Sequence, residues 1–304
     1  MPFEVTILGC SSATPTADRH PSAQILNIRD NLMLIDCGEA TQNQMLHYRI
    51  PHSRISSIFI SHLHGDHYLG LNGLLATINF QGRVLPLDIY GPQPLEQMML
   101  DHFRFSGTQL KFPLRFHVTQ DQKREKLMET NKHEVFSIPL QHRIATTGFI
   151  FREKIGLRHI NVEACETLNI PYVYYHDLKE GQDYKDDNGL IHRNDILTFP
   201  PSEIRSYAYI SDTRFFAELA EEISGVDMLY HESTFLNELK ERAEETFHTT
   251  ALDAARMAKM AGVKKLILGH FSARYRDLTP LLNEAQTLFE NSHLAIEGSR
   301  FSVD

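Results

Sequence analysis

The stretch Ser61-His62-Leu63-His64-Gly65-Asp66-His67 follows the apolar run Ile58-Phe59-Ile60 and leads into an apolar segment with helical spacing. It places three imidazoles and a carboxylate within six residues. That donor set suits zinc, and also manganese or iron, because neutral ring nitrogens and an ionised oxygen both donate to a divalent cation. His62 and His64 are two apart, so at an extended strand end they face one side and can hold one ion. Gly65 lets the chain turn sharply, which brings Asp66 and His67 round to a second position. One motif thus calls for two metals.

The same grammar, an apolar run closing on a ligand, recurs later. Val135 to Leu140 ends in Gln141-His142, and Tyr207-Ala208-Tyr209-Ile210 ends in Ser211-Asp212. The run from Val226 ends in His231-Glu232, and Lys265-Leu266-Ile267-Leu268-Gly269 ends in His270. In layered α/β folds the loops past strand ends are where a rigid sheet aims side chains into one cleft, so these endings are expected to converge. Any one of them alone fits a satisfied core histidine or a helix cap, and Asp212 precedes a helix expected over 213–224.

Elsewhere strands and helices alternate. A hairpin is expected at 23–36 with its turn at Arg29-Asp30-Asn31, and helices at 38–48, 69–82, 94–103, 161–168, 235–245, 249–261 and 280–291, the last capped by Thr279. Residues 121–133 read as a polar hairpin tip or loop, and 183–189 as a polar turn. With 304 residues and no evident linker, the expectation is one large domain. No apolar run reaches membrane-spanning length and no signal-peptide pattern opens the chain, so no membrane partner and a cytoplasmic location are expected. Three cysteines, Cys10, Cys37 and Cys165, form no metal-type pair and read as small buried thiols. A formal charge of −9 opposes binding of a polyanion by the average field, but bound cations would offset part of it, and two local basic stretches, 102–117 and 152–159, each read either as a surface for phosphate or as an ordinary solvated face.

His62-x-His64-x-Asp66-His67, followed in order by His142, Asp212 and His270, resembles the metallo-β-lactamase superfamily. Within it the chain resembles the ribonuclease Z family over nearly its whole length. The more specific matches are Asn79-Phe80-Gln81-Gly82-Arg83, His231-Glu232-Ser233-Thr234-Phe235, His248-Thr249-Thr250, and Leu268-Gly269-His270-Phe271-Ser272-Ala273-Arg274-Tyr275. The resemblance implies a four-layer αββα sandwich with a protruding substrate-binding arm at about 153–182. It implies a homodimeric, zinc-dependent endoribonuclease that removes the 3′ trailer from precursor tRNA and leaves a 3′-hydroxyl. By the same resemblance His62, His64 and His142 hold one zinc, Asp66, His67 and His270 hold the other, and Asp212 bridges them; manganese is the alternative metal. Asp66 acts also as base toward water, and His248, paired with Glu232, protonates the leaving oxygen. Phe80, Gln81, Arg274, Arg158 and Tyr172 are the implied RNA contacts. Two stretches depart from the family: Pro15-Thr16-Ala17-Asp18-Arg19-His20, which lacks its lysine and asparagine, and the arm tip Asn169-Ile170-Pro171-Tyr172-Val173-Tyr174-Tyr175, which lacks its Gly/Pro richness. A hydrolase of small phosphodiesters or esters is the alternative activity, and a metal-stabilised binding protein the non-enzymatic one.

Overall fold

The computed structural model describes residues 2–304. In chain order, the first half holds β1 (Phe3–Gly9), β2 (Ala23–Ile28), β3 (Asn31–Cys37), α1 (Thr41–His47), β4 (Ile55–Phe59), α2 (Gly65–Tyr68), α3 (Leu71–Phe80), β5 (Leu87–Gly91), α4 (Pro94–Ser106), β6 (Leu114–Val118), β7 (Glu125–Glu129), β8 (His133–Pro139) and β9 (Thr147–Glu153). An inserted piece holds β10 (His159–Ile160), α5 (Val162–Thr167), α6 (Tyr175–Lys179), β11 (Tyr184–Lys185), β12 (Ile191–His192), α7 (Asn194–Leu197) and β13 (Thr198–Phe199). The chain then runs through β14 (Ser206–Ile210), α8 (Leu219–Glu222), β15 (Met228–Glu232), α9 (Lys240–Thr246), α10 (Ala251–Ala261), β16 (Lys265–Gly269), α11 (Thr279–Gln286), β17 (Ser292–Leu294) and β18 (Arg300–Ser302).

The chain divides into two compact units, one of residues 1–152 with 205–304, the other of 153–204. The first contains two seven-stranded sheets, ordered β18-β1-β2-β3-β4-β5-β6 and β17-β16-β15-β14-β9-β8-β7. Each sheet is antiparallel in part, but β3 to β6 run parallel, as do β14 to β17. Their inner faces share one core: Val5, Ile7, Met33, Ile35 and Phe59 pack with Ile138, Phe149, Phe151 and Tyr209. The alternate residues Ile25, Leu34, Ile58 and Ile60 face the other way, against Met45, Leu74, Ile78 and Met99 of α1, α3 and α4. Such strands are apolar on both faces because each face is covered, and α10 and α11 cover the second sheet with Ala254, Met257, Ala258 and Leu281. The layers are therefore αββα.

Local chemistry explains most boundaries. Arg29 and Asp30 both take positive φ, 50° and 68°, giving the two-residue turn whose twist matches a hairpin. α3 buries Leu71, Leu74, Leu75 and Ile78, three and four apart, as an amphipathic helix must. In α10 the Thr250 side chain accepts from Asp253 N, and Gly262 ends the helix at φ 64°.

Several expectations change. Residues 125–129 are a strand paired with β8, so 121–133 is more than a tip. Of the helix expected over 213–224 only the turn Leu219–Glu222 forms. Asp212 itself sits at φ 50° and caps nothing. α11 stops at Gln286, well short of 291, and its N-cap is Leu278, not Thr279. Residues 235–245 begin as a 3-10 turn at Asn237–Leu239 before α9.

The second unit has its own small core of Cys165, Ile170, Leu178 and Leu197. Asn161 caps α5 by accepting from Ala164 N, and β10 pairs antiparallel with β13. That pairing extends the piece to 204, beyond the stretch assigned to an arm from the sequence, because Leu197 and β13 complete the fold that Cys165 begins. The polar turn 186–189 is the tip of the β11-β12 hairpin, held by Asp186.

Candidate metal centre and its cleft

The parallel strands set the site. Ile210 pairs with His231 and Glu232 with Gly269, so Ser211-Asp212, Glu232 and Gly269-His270 leave β14, β15 and β16 level with one another. In the other sheet Ile35 pairs with Phe59, which sets Asp36 beside the turn into Ser61-His62. The strand-end residues Asp36, Asp212 and His270 lie in the left-handed region, with φ of 54°, 50° and 57°. Such backbone costs about 1–3 kcal/mol each and persists where the surroundings over-determine it.

The seven residues expected as ligands come together. One group is His62, His64, His142 and Asp212, another Asp66, His67 and His270, with donor atoms within 4.8 Å of one another in each. In the first, His64 Nδ1 lies 3.0 Å from His62 Nε2 and 3.2 Å from His142 Nε2. In the second, the Nε2 atoms of His67 and His270 are 3.3 Å apart. Asp66 Oδ2 is 3.3 Å from the former and 3.4 Å from the latter. Asp212 is shared: its Oδ2 is 3.4 Å from His62 and 3.7 Å from His142, its Oδ1 3.3 Å from His67 and 3.0 Å from His270. Gly65, where a sharp turn is expected, is the first residue of α2, and that helix carries Asp66 and His67.

Outer partners fix the tautomers. His142 Nδ1 donates to Phe247 O at 3.0 Å and His67 Nδ1 to Asp36 Oδ2 at 2.6 Å. Thr234 Oγ1 donates to Glu232 and so accepts from His270 Nδ1 at 3.0 Å. These three rings therefore turn Nε2 inward, the atom on which a cation would stand in place of a proton. Such outer contacts orient ligands and tune a metal. Asp36 and Thr234 were not singled out from the sequence. Asp36 carried the same signal as the others, an acid closing an apolar strand, whereas Thr234 carried none.

Electrostatics favour a cation. Burial, then the neighbouring His67, lowers His62, and burial lowers His142 to about 4, so both offer neutral nitrogens. Burial also opposes the charged form of Asp66 and Asp212, but the surrounding histidines override it and hold both carboxyls well below the usual range. Burial likewise opposes charge on His270, yet Asp212 raises it to about 10, and Asp66, Asp212 and Asp36 raise His67 in the same way. Inward-facing ring nitrogens pressed to 3.0–3.3 Å, with buried carboxylates drawing positive charge, fit divalent cations.

Above this cluster lies a cleft of about 520 Å³, lined by His64, Asp66, His142, Asp212, His248 and His270 and walled by Arg143, Arg242 and Arg274. His248 Nδ1 is 3.0 Å from Glu232 Oε1. Glu232 is fully buried and also accepts Thr213 N, Thr249 N and the Thr234 hydroxyl. Burial opposes the charged pair, but each partner sustains the other: Glu232 is lowered, and His248 is raised above the ordinary histidine value. Of the residues read as RNA contacts, Arg274 lines the cleft with its guanidinium 5.0 Å from the Phe235 ring. Phe80 is 86% exposed at the end of α3 and Gln81 contacts His52, both outside the lining. Arg158 and Tyr172 belong to the second unit, where Arg158 Nε donates to Thr198 and Tyr172 stacks on Tyr175 with centroids 4.3 Å apart.

Residues 3–159 match the family model described as Anti-Pycsar protein Apyc1, a span that takes in His62 to His142 and ends before Asp212. Over its full length the chain is similar to Ribonuclease Z of Porphyromonas gingivalis strain W83, at 44% identity over 302 residues and 99% of each chain. Among solved structures, human tRNase Z, short form, matches with a TM-score of 0.73 and 28% identity over 99% of both chains. The metallo-β-lactamase fold protein YhfI of Bacillus subtilis matches with a TM-score of 0.69 and 19% identity, over 99% of this chain and 100% of that one, a likeness of fold alone.

Proposed function

The chain belongs to the ribonuclease Z family and is a metal-dependent endoribonuclease of tRNA 3′ processing; from that premise we propose that it holds two zinc ions and uses His248 as the acid of the reaction. The observation that carries this reading is the carboxylate of Asp212, whose two oxygens are divided between the two histidine groups. His62 Nε2, His64 Nδ1 and His142 Nε2 would take one ion, and Asp66, His67 Nε2 and His270 Nε2 the other, with manganese able to replace zinc. When bound, such a pair makes hydroxide available at neutral pH and offsets charge on the phosphate.

The side chains do the rest. Arg143, Arg242 and Arg274 draw the scissile phosphate into the cleft. Asp66 stays ionised throughout the working range and accepts a hydrogen bond from the attacking water. Its own Oδ2 is oriented by Ala13 N at 2.7 Å. His248 keeps its Nδ1 proton on Glu232 and delivers the Nε2 proton to the departing 3′ oxygen, leaving a 3′-hydroxyl on the tRNA. Glu232, saturated by four donors, cannot turn away and so keeps the imidazole charged before each turnover.

Unit 153–204 supplies the grip on the tRNA body in this reading. Tyr172, a residue 81% exposed, and the basic Arg158 and Lys154 offer stacking and charge to a single strand or loop. We take the assembly as a homodimer and the site of action as the cytoplasm; no described helix is long and apolar enough to cross a membrane. The test is to incubate purified protein with one trailer-bearing precursor tRNA, map both product ends and measure bound metal. Cleavage at the trailer junction with a 3′-hydroxyl, and two ions per chain, are expected. Preference for a small phosphodiester over the precursor would favour the alternative activity.

A further inference from the structure

Beneath the cleft, Asp36 is the point where the two sheets meet. It is the next-to-last residue of β3, is fully buried, and its two oxygens accept four donors. Oδ1 takes Ser61 N at 2.8 Å, and Oδ2 takes Ser61 Oγ at 2.9 Å, His67 Nδ1 at 2.6 Å and the Tyr209 hydroxyl at 2.7 Å. The first three come from the segment that follows β4 in the same sheet, two from Ser61 in the loop and one from His67 in α2. The fourth crosses the core from β14 in the other. Tyr209 is itself held, since its ring stacks at 4.9 Å and 12° on Tyr230, its register partner in β15. The Tyr230 hydroxyl fills the space over Gly269, where a Cβ would lie only 2.2 Å from it, and His270 follows Gly269. The tyrosine pair thus bears on both imidazoles of one metal group, on His67 through Asp36 and on His270 through Gly269.

We propose that Tyr209 is a positioning residue for the His67–His270 half of the metal centre. Its hydroxyl fixes the Asp36 carboxylate in one orientation, Asp36 holds the His67 Nδ1 proton, and Nε2 is aimed at Asp66, Asp212 and His270, each 3.3 Å away. The inference rests on the two-ion reading above. Without the hydroxyl, a buried carboxylate is left short of a donor in a site that water cannot readily supply, and it relaxes toward Ser61. His67 then loses its angle. Of the other group, His142 is held by Phe247 O, and His62 meets Ser61 rather than Asp36, so the effect falls chiefly on one ion.

The test uses Tyr209→Phe, which keeps the ring and its stack, with Tyr207→Phe as control. Tyr207 lies on the same strand and is equally buried, but its hydroxyl donates to Gln24. Zinc is titrated against a chromogenic chelator, the cobalt-loaded proteins are compared by absorption, and thermal midpoints are taken with and without metal. Wild type should bind two ions. Tyr209→Phe should bind the first as wild type does and the second about tenfold more weakly, with an altered cobalt spectrum, in line with what outer partners contribute to metal affinity. Tyr207→Phe should match wild type in both. If Tyr209→Phe keeps both affinities and the spectrum, even with a lowered midpoint, the hydroxyl is merely structural and the proposal fails. Equal weakening in the two variants overturns it as well. A wild type that binds a single ion defeats the two-ion reading itself, and is distinguishable from either result.

Discussion

His248 Nδ1 lies 3.0 Å from Oε1 of Glu232, a carboxylate with no exposed surface whose remaining lone pairs are filled by Thr213 N, Thr249 N and the Thr234 hydroxyl. A charge buried this way cannot be abandoned by its partner without a penalty of several kcal/mol. The pair therefore fixes both the angle and the protonation of the ring that faces the cleft.

His248→Ala should lower kcat for precursor cleavage by about a hundredfold to ten-thousandfold, the usual contribution of general acid catalysis. Metal content should stay that of wild type, because the bound ions have other donors. Loss of metal in this variant would place His248 among the ligands.

The pH profile carries the sign of that shift. Glu232 raises His248 above its ordinary value, so the acid form is complete at low pH and disappears as pH rises through the raised value. The alkaline limb of kcat should therefore lie above that of a free imidazole. Glu232→Gln should move the limb to lower pH, and an unmoved limb would assign it to another group.

Asp212→Ala should reduce bound zinc at both positions, since one carboxylate serves both histidine groups. Cleavage should fall to background. Atomic absorption on the purified variant reads the outcome directly, and retention of two ions would show that Asp212 bridges nothing.

Removing the metal should expose a pH dependence of stability that the loaded protein lacks. His270, raised to about 10 when protons alone balance the carboxylates, adds stability that is complete below the unfolded histidine value of about 6.5 and is lost as pH rises toward 10. Chelator-treated protein should thus melt progressively lower across that window. Zinc replaces the proton, so the loaded protein should melt at a nearly constant temperature there.

Replacing residues 153–204 with a short Gly/Ser linker should weaken precursor-tRNA binding and flatten its salt dependence, because cationic contacts to phosphate are lost. Hydrolysis of a small chromogenic phosphodiester should persist. The replacement has to run to 204, since a cut near 182 would strand Leu197 and β13 without the core they complete. Unchanged tRNA affinity would exclude this unit from the RNA surface.

Residues 62–67 determine their own geometry, because ligands only one or two residues apart can only converge or diverge together; that much was legible in the sequence. The endings at His142, Asp212, Glu232 and His270 were legible too, as apolar runs that stop at a ligand. What the sequence could not determine is which of these endings stand level, since that depends on strand register set by packing across both sheets. Asp212 shows the difference. Its position before a helix-like stretch suggests a cap, but residues 213–218 do not coil, and the pairing of Ile210 with His231 delivers its carboxylate to the histidines instead. Likewise only the closed sandwich brings the Tyr209 hydroxyl to Asp36 across 173 residues of chain, and only the β10-β13 pairing sets the far limit of the inserted unit. Local spacing chose the chemistry of the donors, and non-local packing chose which of them stand together.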